Sequence, residues 1–321
     1  MLLKGGDKMK RLLKKKINLF GKEVSVMLIG LLAVVMVSAA LIPYFGRIIG
    51  TVDVTQGLTL DGQNWNHEFT QYFDTLTSLE EKNVSSENHE LKNGADVDAV
   101  VRLVTTCDEG ESSNDGCENV VTTPVFKLSI PVATVANSVQ DRVVANANVE
   151  VNDISTLSFD YMLTTTTTKY SPYFVLAFDT DEDDVADKWA VSLQDTADTA
   201  NTWKTHGNGL VYHNVGTCTQ SNLCDLTKLK TQLVNANLLQ VKVMIGYWGD
   251  TTATTALVKN IEINGNDVVD NGLIIRHYDD ADPDDNTNGD VIVDFAIETY
   301  FPMGMIPDTY TLTTEVQPVT P

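Results

Sequence analysis

Residues 157–163 read Leu157-Ser-Phe-Asp-Tyr-Met-Leu163, with large apolar side chains at every second position. A period of two puts alternate side chains on opposite faces of a β-strand, so that one face is buried. The same period recurs in four other stretches, at 97–103, 241–247, 291–297 and 310–316. Turn-forming dipeptides lie between such runs, namely Asp61-Gly62, Asn93-Gly94, Asn264-Gly265, Asn271-Gly272 and Asn288-Gly289. The sequence therefore predicts an all-β fold built as a β-sandwich or jelly roll.

One stretch carries a helical pattern instead. Asp225 precedes three leucines that would share one helix face, Leu226, Leu229 and Leu233. An aspartate directly before such a run is a typical helix cap. We therefore expect one short helix over residues 226–234.

The middle of the chain differs from its flanks in composition. Residues from about 135 to 268 hold three of the four tryptophans, a dense acidic loop and the predicted helix. We interpret 135–268 as an inserted jelly-roll-like domain, and 51–134 with 269–321 as a discontinuous β-sandwich around it. Such insertions are tolerated where the ends of the inserted chain lie close together.

Charge is distributed unevenly along the chain. The 321 residues carry 22 Lys and Arg against 44 Asp and Glu, for a net charge of −22. The first 23 residues have a net charge of +6, so the remaining 298 have a net charge of −28. A body this acidic repels phosphate, which argues against a nucleic-acid partner and against an anionic membrane surface.

The basic N-terminus leads into an uncharged apolar run that begins at Val24 and reaches Phe45. A basic segment, an apolar segment and then small residues make up a secretory signal peptide. We predict a signal peptide over 1–39, with cleavage near Ala39 or Ala40. The alternative is an uncleaved N-terminal apolar helix, because the run is about long enough to span a membrane.

Both interpretations place the acidic body outside the cell, because the lysines stay on the cytoplasmic side. A third one, a type IV pilin leader, needs a glutamate five residues after its cleavage glycine. Glu23 follows Gly21 too closely for that. We therefore expect a secreted or cell-surface protein, in contact with the membrane only through the N-terminal segment of its precursor.

Four cysteines occur in two close pairs, and each pair brackets a short polar stretch. Local pairing is the simplest of the three possible connectivities, Cys107 with Cys117 and Cys218 with Cys224. Close pairs in an exported protein are typical of loop-closing disulfides. The alternative is zinc binding, but neither spacing resembles a zinc motif.

The densest acidic segment is Asp179-Thr-Asp-Glu-Asp-Asp-Val-Ala-Asp187, directly after an apolar strand. Carboxylates at every second position of a tight loop converge on one point, and Ca²⁺ takes six to eight hard oxygen ligands. The predicted ligands are four carboxylates and one backbone carbonyl, from Asp179, Asp181, Asp183, Asp187 and Val185. The loop departs from an EF-hand, since Asp184 stands at position 6 and Ala190 at position 12. A solvated acidic loop is the alternative. A second acidic stretch, 279–290, is less regularly spaced.

Catalytic motifs are absent from the sequence, so we predict a protein that is not an enzyme. The five histidines form no metal-binding pair, and no phosphate-binding or nucleophile motif occurs. Trp189, Trp203 and Trp248 suit either a sugar-stacking platform or a core, and the core is the more common place for a tryptophan. Asn83 begins an N-glycosylation sequon, which suggests a surface loop.

Several segments resemble a known family when taken in their order along the chain. They read Ala40-Leu-Ile-Pro-Tyr-Phe-Gly46, Val52-Asp-Val-Thr-Gln-Gly-Leu-Thr-Leu-Asp-Gly62, His89-Glu-Leu-Lys-Asn-Gly-Ala95 and Pro302-Met-Gly-Met-Ile-Pro-Asp-Thr-Tyr-Thr-Leu-Thr-Thr-Glu-Val-Gln-Pro318. This arrangement resembles the TasA/camelysin-like secreted β-sandwich proteins, and especially their archaeal relatives that build bundling pili. The resemblance covers about 40–130 and 270–321. More weakly, the segment 135–268 resembles jelly-roll modules of archaeal surface proteins.

The resemblance implies a structural subunit that polymerises by donor-strand complementation. In that mode residues 40–50 become an N-terminal strand that completes the sheet of an identical neighbour, and neighbouring filaments or surface glycans are further partners. The apolar side chains that would enter the neighbour are Leu41, Ile42, Tyr44, Phe45, Ile48 and Ile49. A head-to-tail contact of this kind runs on into a filament. The alternative is that these residues end a membrane anchor.

Two other classes of function stay open from the sequence. One is a membrane-anchored surface lectin that binds glycan through its tryptophans and Ca²⁺. The other is a secreted hydrolase, since camelysin was named as a protease, but the chain has no HExxH motif.

Overall fold

The computed structural model describes most of the chain between residues 58 and 319 and a short part of the N-terminus. The described residues are 16–19, 22–25, 58–63, 68–73, 81–94, 98–109, 117, 120–130, 140–164, 171–194, 200–207, 211–246, 253–275, 292–303 and 310–319. The chain divides into two compact units, Met1–Val54 and Thr55–Pro321.

In the part of the first unit that the structure describes, β1 (Lys16–Leu19) and β2 (Lys22–Ser25) form an antiparallel pair. The predicted cleavage site at Ala39 and Ala40 lies outside the described residues, as do all the donor-strand positions, Leu41, Ile42, Tyr44, Phe45, Ile48 and Ile49. Among the helices that the structure describes, none is long and apolar enough to cross a membrane.

The second unit contains two nine-stranded antiparallel sheets, here called sheet I and sheet II. Sheet I consists of β3 (Leu58–Leu60), β5 (Lys82–Ser85), β6 (His89–Asn93), β8 (Val121–Ile130), β10 (Leu157–Leu163), β13 (Lys204–His206), β16 (Thr254–Ile263), β17 (Asn266–Asp267) and β19 (Ile292–Phe301). Sheet II consists of β4 (Glu68–Phe73), β7 (Ala99–Glu109), β9 (Asp141–Glu150), β11 (Tyr173–Asp179), β12 (Lys188–Ser192), β14 (Tyr212–His213), β15 (Asn237–Ile245), β18 (Leu273–Ile275) and β20 (Tyr310–Pro318).

The strand order in sheet I is β13-β10-β16-β8-β19-β6-β3, with β17 beside β16 and β5 beside β19. The order in sheet II is β14-β12-β11-β15-β9-β18-β7-β20-β4. The two sheets enclose one large cluster of buried apolar side chains. The all-β sandwich prediction is therefore confirmed.

Most of the described residues in all five stretches with a period of two lie in strands, namely β7, β10, β15, β19 and β20. In β10 the predicted inward side chains of Leu157, Phe159, Tyr161 and Leu163 are each at most 4% exposed. Burying a side chain of this size stabilises a fold by about 1.5–3 kcal/mol. The apolar side chains whose alternation predicts the strand therefore also form part of the core.

The predicted helix is α1 (Leu226–Gln232), and Asp225 caps it as expected. The Asp225 carboxylate accepts a hydrogen bond from the amide of Lys228 at 2.8 Å. Leu229 and Leu233 are buried, and Leu226 packs against the core at its edge. The helix and its C-terminal cap therefore add two leucines to the apolar cluster.

The turn predictions hold at Asn264-Gly265, where both residues have positive φ (57° and 77°) and join β16 to β17. Asn93-Gly94 differs, because Asn93 is the last residue of β6 and its side chain is buried. Its amide nitrogen donates a hydrogen bond to the carbonyl of Ile275 at 3.0 Å, from sheet I to sheet II. A buried amide needs such a partner, so the side chain of Asn93 contributes to packing between the sheets.

The segment 135–268 supplies β9 to β17, which form one contiguous half of each sheet. The flanking segments form the other half. Both sheets continue across the junction, through β8 with β16 in sheet I and through β9 with β18 in sheet II. The two halves thus contribute strands to the same two sheets and side chains to the same large apolar cluster.

Candidate functional site

The acidic loop connects β11 to β12 and is organised by Asp179. This residue is 2% exposed, and its Oδ1 accepts hydrogen bonds from the amides of Asp181 (3.0 Å) and Glu182 (2.8 Å). Its Oδ2 accepts a third from the amide of Asp184 at 3.0 Å. Glu182 and Asp184 have φ values of 65° and 62°, a left-handed conformation that aspartate adopts occasionally and that is uncommon for glutamate. The loop is therefore wound around one buried carboxylate.

Three carboxylates of the loop converge, those of Asp179, Asp181 and Asp183. One oxygen of each lies within 4.8 Å of the others, so the cluster could hold a metal ion. Burial raises the pKa of Asp179, but the backbone amides of the loop lower it further, and the net shift is downward. The pKa of Asp181 is raised, chiefly by the neighbouring charge of Asp183. A bound cation would relieve this repulsion.

The two other predicted ligands lie outside this group of three. The carboxylate of Asp187 accepts a hydrogen bond from the hydroxyl of Thr180, and its amide donates to the carbonyl of Phe178 at 2.9 Å. Val185 has an exposed side chain, and its amide donates to Asp183 Oδ1 at 2.9 Å. The structure thus gives both residues a role in closing the loop, and their ligation stays a prediction.

Both predicted disulfides are confirmed. Cys107 pairs with Cys117, with 5.8 Å between the Cα atoms, and Cys218 pairs with Cys224, with 5.5 Å. The zinc alternative is therefore wrong for these cysteines. Two structural disulfides fit an oxidising, extracellular environment.

Sequence reasoning missed a groove of about 710 Å³ on sheet II. Its floor is the face that points away from the core, because lining residues such as Arg142 and Lys242 alternate with the fully buried Val143 and Val243. One wall is the stretch 214–220, which the Cys218–Cys224 disulfide helps to close.

Strand register brings the floor residues together. Met244 of β15 stands opposite both Arg142 of β9 and Tyr173 of β11. In the next row, Lys242 stands opposite Val175, which in turn is opposite Val191 of β12. Directly opposed residues have Cβ atoms about 4.5–5.5 Å apart. The floor is therefore a continuous surface built from segments far apart in sequence.

Of the two tryptophans that the structure describes, Trp189 does not lie in the core. Trp189 is 42% exposed and lines the groove. Trp203 is half-buried, and Nζ of Lys259 lies 4.2 Å from its ring centroid. Trp248 lies outside the described residues. The core prediction is wrong for Trp189 because its strand, β12, turns this side chain to the outer face of sheet II.

Asn83 of the glycosylation sequon is exposed, as expected. It belongs to β5 and not to a loop, and it stands opposite Tyr300 of β19. Among the described strands β5 has no other neighbour, so Asn83 lies on a sheet edge.

Comparison with known proteins supplies no relative for this chain. No model of a protein family matches it, and neither a curated protein nor a solved structure does. The class that the fold and sites define is thus a disulfide-bonded, acidic, two-sheet β-sandwich with a carboxylate cluster and a surface groove.

Proposed function

We propose that the protein is a structural subunit of an extracellular filament, in which the segment after the signal peptide completes the sheet of the next identical subunit. The order of motifs along the chain supports this proposal, as do the two disulfides. The observation that carries it is the position at which the chain joins the sandwich.

The sandwich has an edge strand as its first described strand. Its first strand, β3, is three residues long and pairs only with β6 among the described strands. The predicted donor strand, 40–50, and seven further residues, 51–57, directly precede it. Fully extended, these 18 residues reach about 60 Å, which is enough to cross to a neighbouring subunit.

The same half of the sandwich offers edges that could receive a strand. In sheet II, β4 pairs with β20 and with no other described strand. In sheet I, β3 and β5 are the outer strands. The free side of an edge strand presents unpaired amides and carbonyls, and an added strand gains main-chain hydrogen bonds there.

We infer that Ca²⁺ is the ion suited to the carboxylate cluster. The converging groups are all oxygens, which hard cations prefer, and a larger ion tolerates a loop of irregular geometry. A cation would also offset part of the repulsion between subunits, since residues 24–321 carry a net charge of −28.

Analysis of the N-terminus and the assembly state of the extracellular protein tests this function. We expect its N-terminal residue near Ala40 and filaments in negative-stain electron microscopy of the purified protein. A protein that keeps Met1 and stays monomeric at all salt and Ca²⁺ concentrations would refute the proposal.

A surface lectin is the second candidate, and the exposure of Trp189 in the groove favours it. A filament subunit can also bind glycans, so this function does not exclude the first.

A further inference from the structure

We propose that the groove on sheet II binds a carbohydrate that carries isolated carboxylate groups, such as a uronic or sialic acid residue. This site is independent of the proposed polymerisation, because it uses β9, β11, β12, β14 and β15 and none of the residues 40–57. The charge of the groove, one exposed aromatic ring and the construction of the wall support this assignment.

The charge of the groove differs from that of the protein. Among the described residues that line it, none is Asp or Glu, while Arg142 and Lys242 are cations. Residues 24–321 contain three times as many acidic as basic side chains, 42 against 14. Arg142 and Lys242 already interact with other groups of the protein. A ligand carboxylate would therefore bind to them in addition to those groups. A cationic site on an acidic body selects a small anion and disfavours a dense polyanion.

An exposed aromatic ring indicates that the carboxylate belongs to a sugar. Trp189 leaves 42% of its surface in solvent at the groove, although a tryptophan gains much from burial. The apolar face of a sugar ring can cover such an indole, while its hydroxyls remain free for hydrogen bonds. Trp189 thus supplies the apolar contact that a simple anion would not use.

Polar side chains around the groove suit those hydroxyls. Gln140, Asn214, Thr219 and Gln220 offer amide and hydroxyl groups that both donate and accept hydrogen bonds. His213 lies among them, and burial lowers its pKa, so a neutral ring with one donor and one acceptor prevails at pH 7. Binding sites for small molecules combine such groups with an apolar floor, at volumes of about 300–1,000 Å³.

The wall of the groove is held in place before any ligand arrives. Val215 and Cys218 exchange backbone hydrogen bonds at 3.2 and 2.8 Å. The side chain of Gln232 on α1 accepts a hydrogen bond from the amide of Thr217 at 3.1 Å. A preorganised wall lowers the entropic cost of binding.

The test is an array of uronate-containing and sialylated oligosaccharides, each printed beside its neutral methyl ester and probed with the full-length protein. We expect at least one acidic oligosaccharide to bind about tenfold or more tightly than its ester. Trp189→Ala should lower binding of both forms at least tenfold, and Trp189→Phe should retain most of it. Tyr72→Ala, which removes an exposed aromatic ring from β4, is the matched control and should bind normally.

Charge is tested separately. The double substitution Arg142→Gln and Lys242→Gln should abolish the preference for the acid over the ester, while Lys82→Gln on β5 should preserve it. The proposal is overturned if no acidic oligosaccharide binds better than its ester. It is also overturned if Trp189→Ala, with an unchanged circular dichroism spectrum and melting temperature, binds as well as Tyr72→Ala.

Discussion

The carboxylate of Asp61 lies 2.8 Å from Nδ1 of His89, directly after the strand at which the chain joins the sandwich. Its second oxygen accepts a hydrogen bond from the amide of Glu90 at 2.9 Å. The ring of His89 stacks on that of Phe69, with 3.6 Å between the ring centroids. Asp61 therefore ties β3 to β6 in sheet I, and His89 extends the link to β4 in sheet II.

Removing this link should loosen the first strand of the sandwich. We expect Asp61→Ala to lower the free energy of unfolding by about 1 kcal/mol, because two hydrogen bonds are lost at a half-exposed site. Urea unfolding at pH 7 measures the change, with Glu87→Ala as an exposed control on the same stretch of chain. Equal stability of the two variants would show that Asp61 does not hold β3.

The two disulfides should contribute similarly to the free energy of unfolding, but only one of them should affect binding in the groove. Replacing either pair by serines should cost about 2–3 kcal/mol, since each bond closes a short loop. Only the Cys218/Cys224 variant should also weaken binding in the groove, because this pair closes its wall. Urea unfolding and the glycan array measure the two effects. If the Cys107/Cys117 variant weakened binding as much, the effect would be one of general instability.

The acidic loop should respond in opposite ways to two substitutions. Asp181→Asn removes a charge that Asp183 repels, so without metal we expect the melting temperature to stay the same or rise. Asp179→Ala removes the acceptor of three loop amides, so without metal we expect it to fall. Both variants should lose the rise in melting temperature that Ca²⁺ gives the unchanged protein. Differential scanning fluorimetry with Ca²⁺ and with EDTA measures this, and an unchanged protein indifferent to Ca²⁺ would contradict the metal assignment.

Asp267 should make the protein less stable as pH rises. Burial raises its pKa from 3.8 to about 6, although the amide of Val269 donates a hydrogen bond to it. A carboxyl with a raised pKa in the folded state favours folding fully below pH 3.8, and this contribution is lost as pH rises to about 6. Asp267→Asn keeps the acceptor and removes the charge. We therefore expect it to stabilise the protein by about 1 kcal/mol at pH 7, after allowance for partial solvent screening, and not at pH 4. Urea unfolding at both pH values measures the difference, and equal gains at both would contradict the burial effect.

The strands were predictable from sequence because each carries its own period. Phe159 and Tyr161 show on which face they lie without any knowledge of the partner strand. The cap at Asp225 was predictable for the same reason, since its hydrogen bond spans three residues. The contact of Asn93 was not predictable, because its partner, the carbonyl of Ile275, lies 182 residues away.

The two candidate sites differ in the same respect, because one is formed by residues close in sequence and the other by residues far apart. The acidic loop is local, so the convergence of Asp179, Asp181 and Asp183 follows from their spacing. The groove depends on the register that sets Arg142 beside Met244 and Lys242 beside Val175, which no local pattern encodes. One available signal was that Trp189 is flanked by Lys188 and follows an acidic loop, which is unusual for a core position.

In the proposed filament, the segment after the predicted signal peptide joins one subunit to the next. The most direct measurement compares the extracellular form of the unchanged protein with that of a variant in which Leu41, Ile42, Tyr44, Phe45, Ile48 and Ile49 are all replaced by serine. Both are observed by electron microscopy at high salt with Ca²⁺, which screens the repulsion between acidic subunits. We predict long filaments from the unchanged protein and monomers from the variant, with the same circular dichroism spectrum. Filaments of equal length from both proteins would contradict the claim.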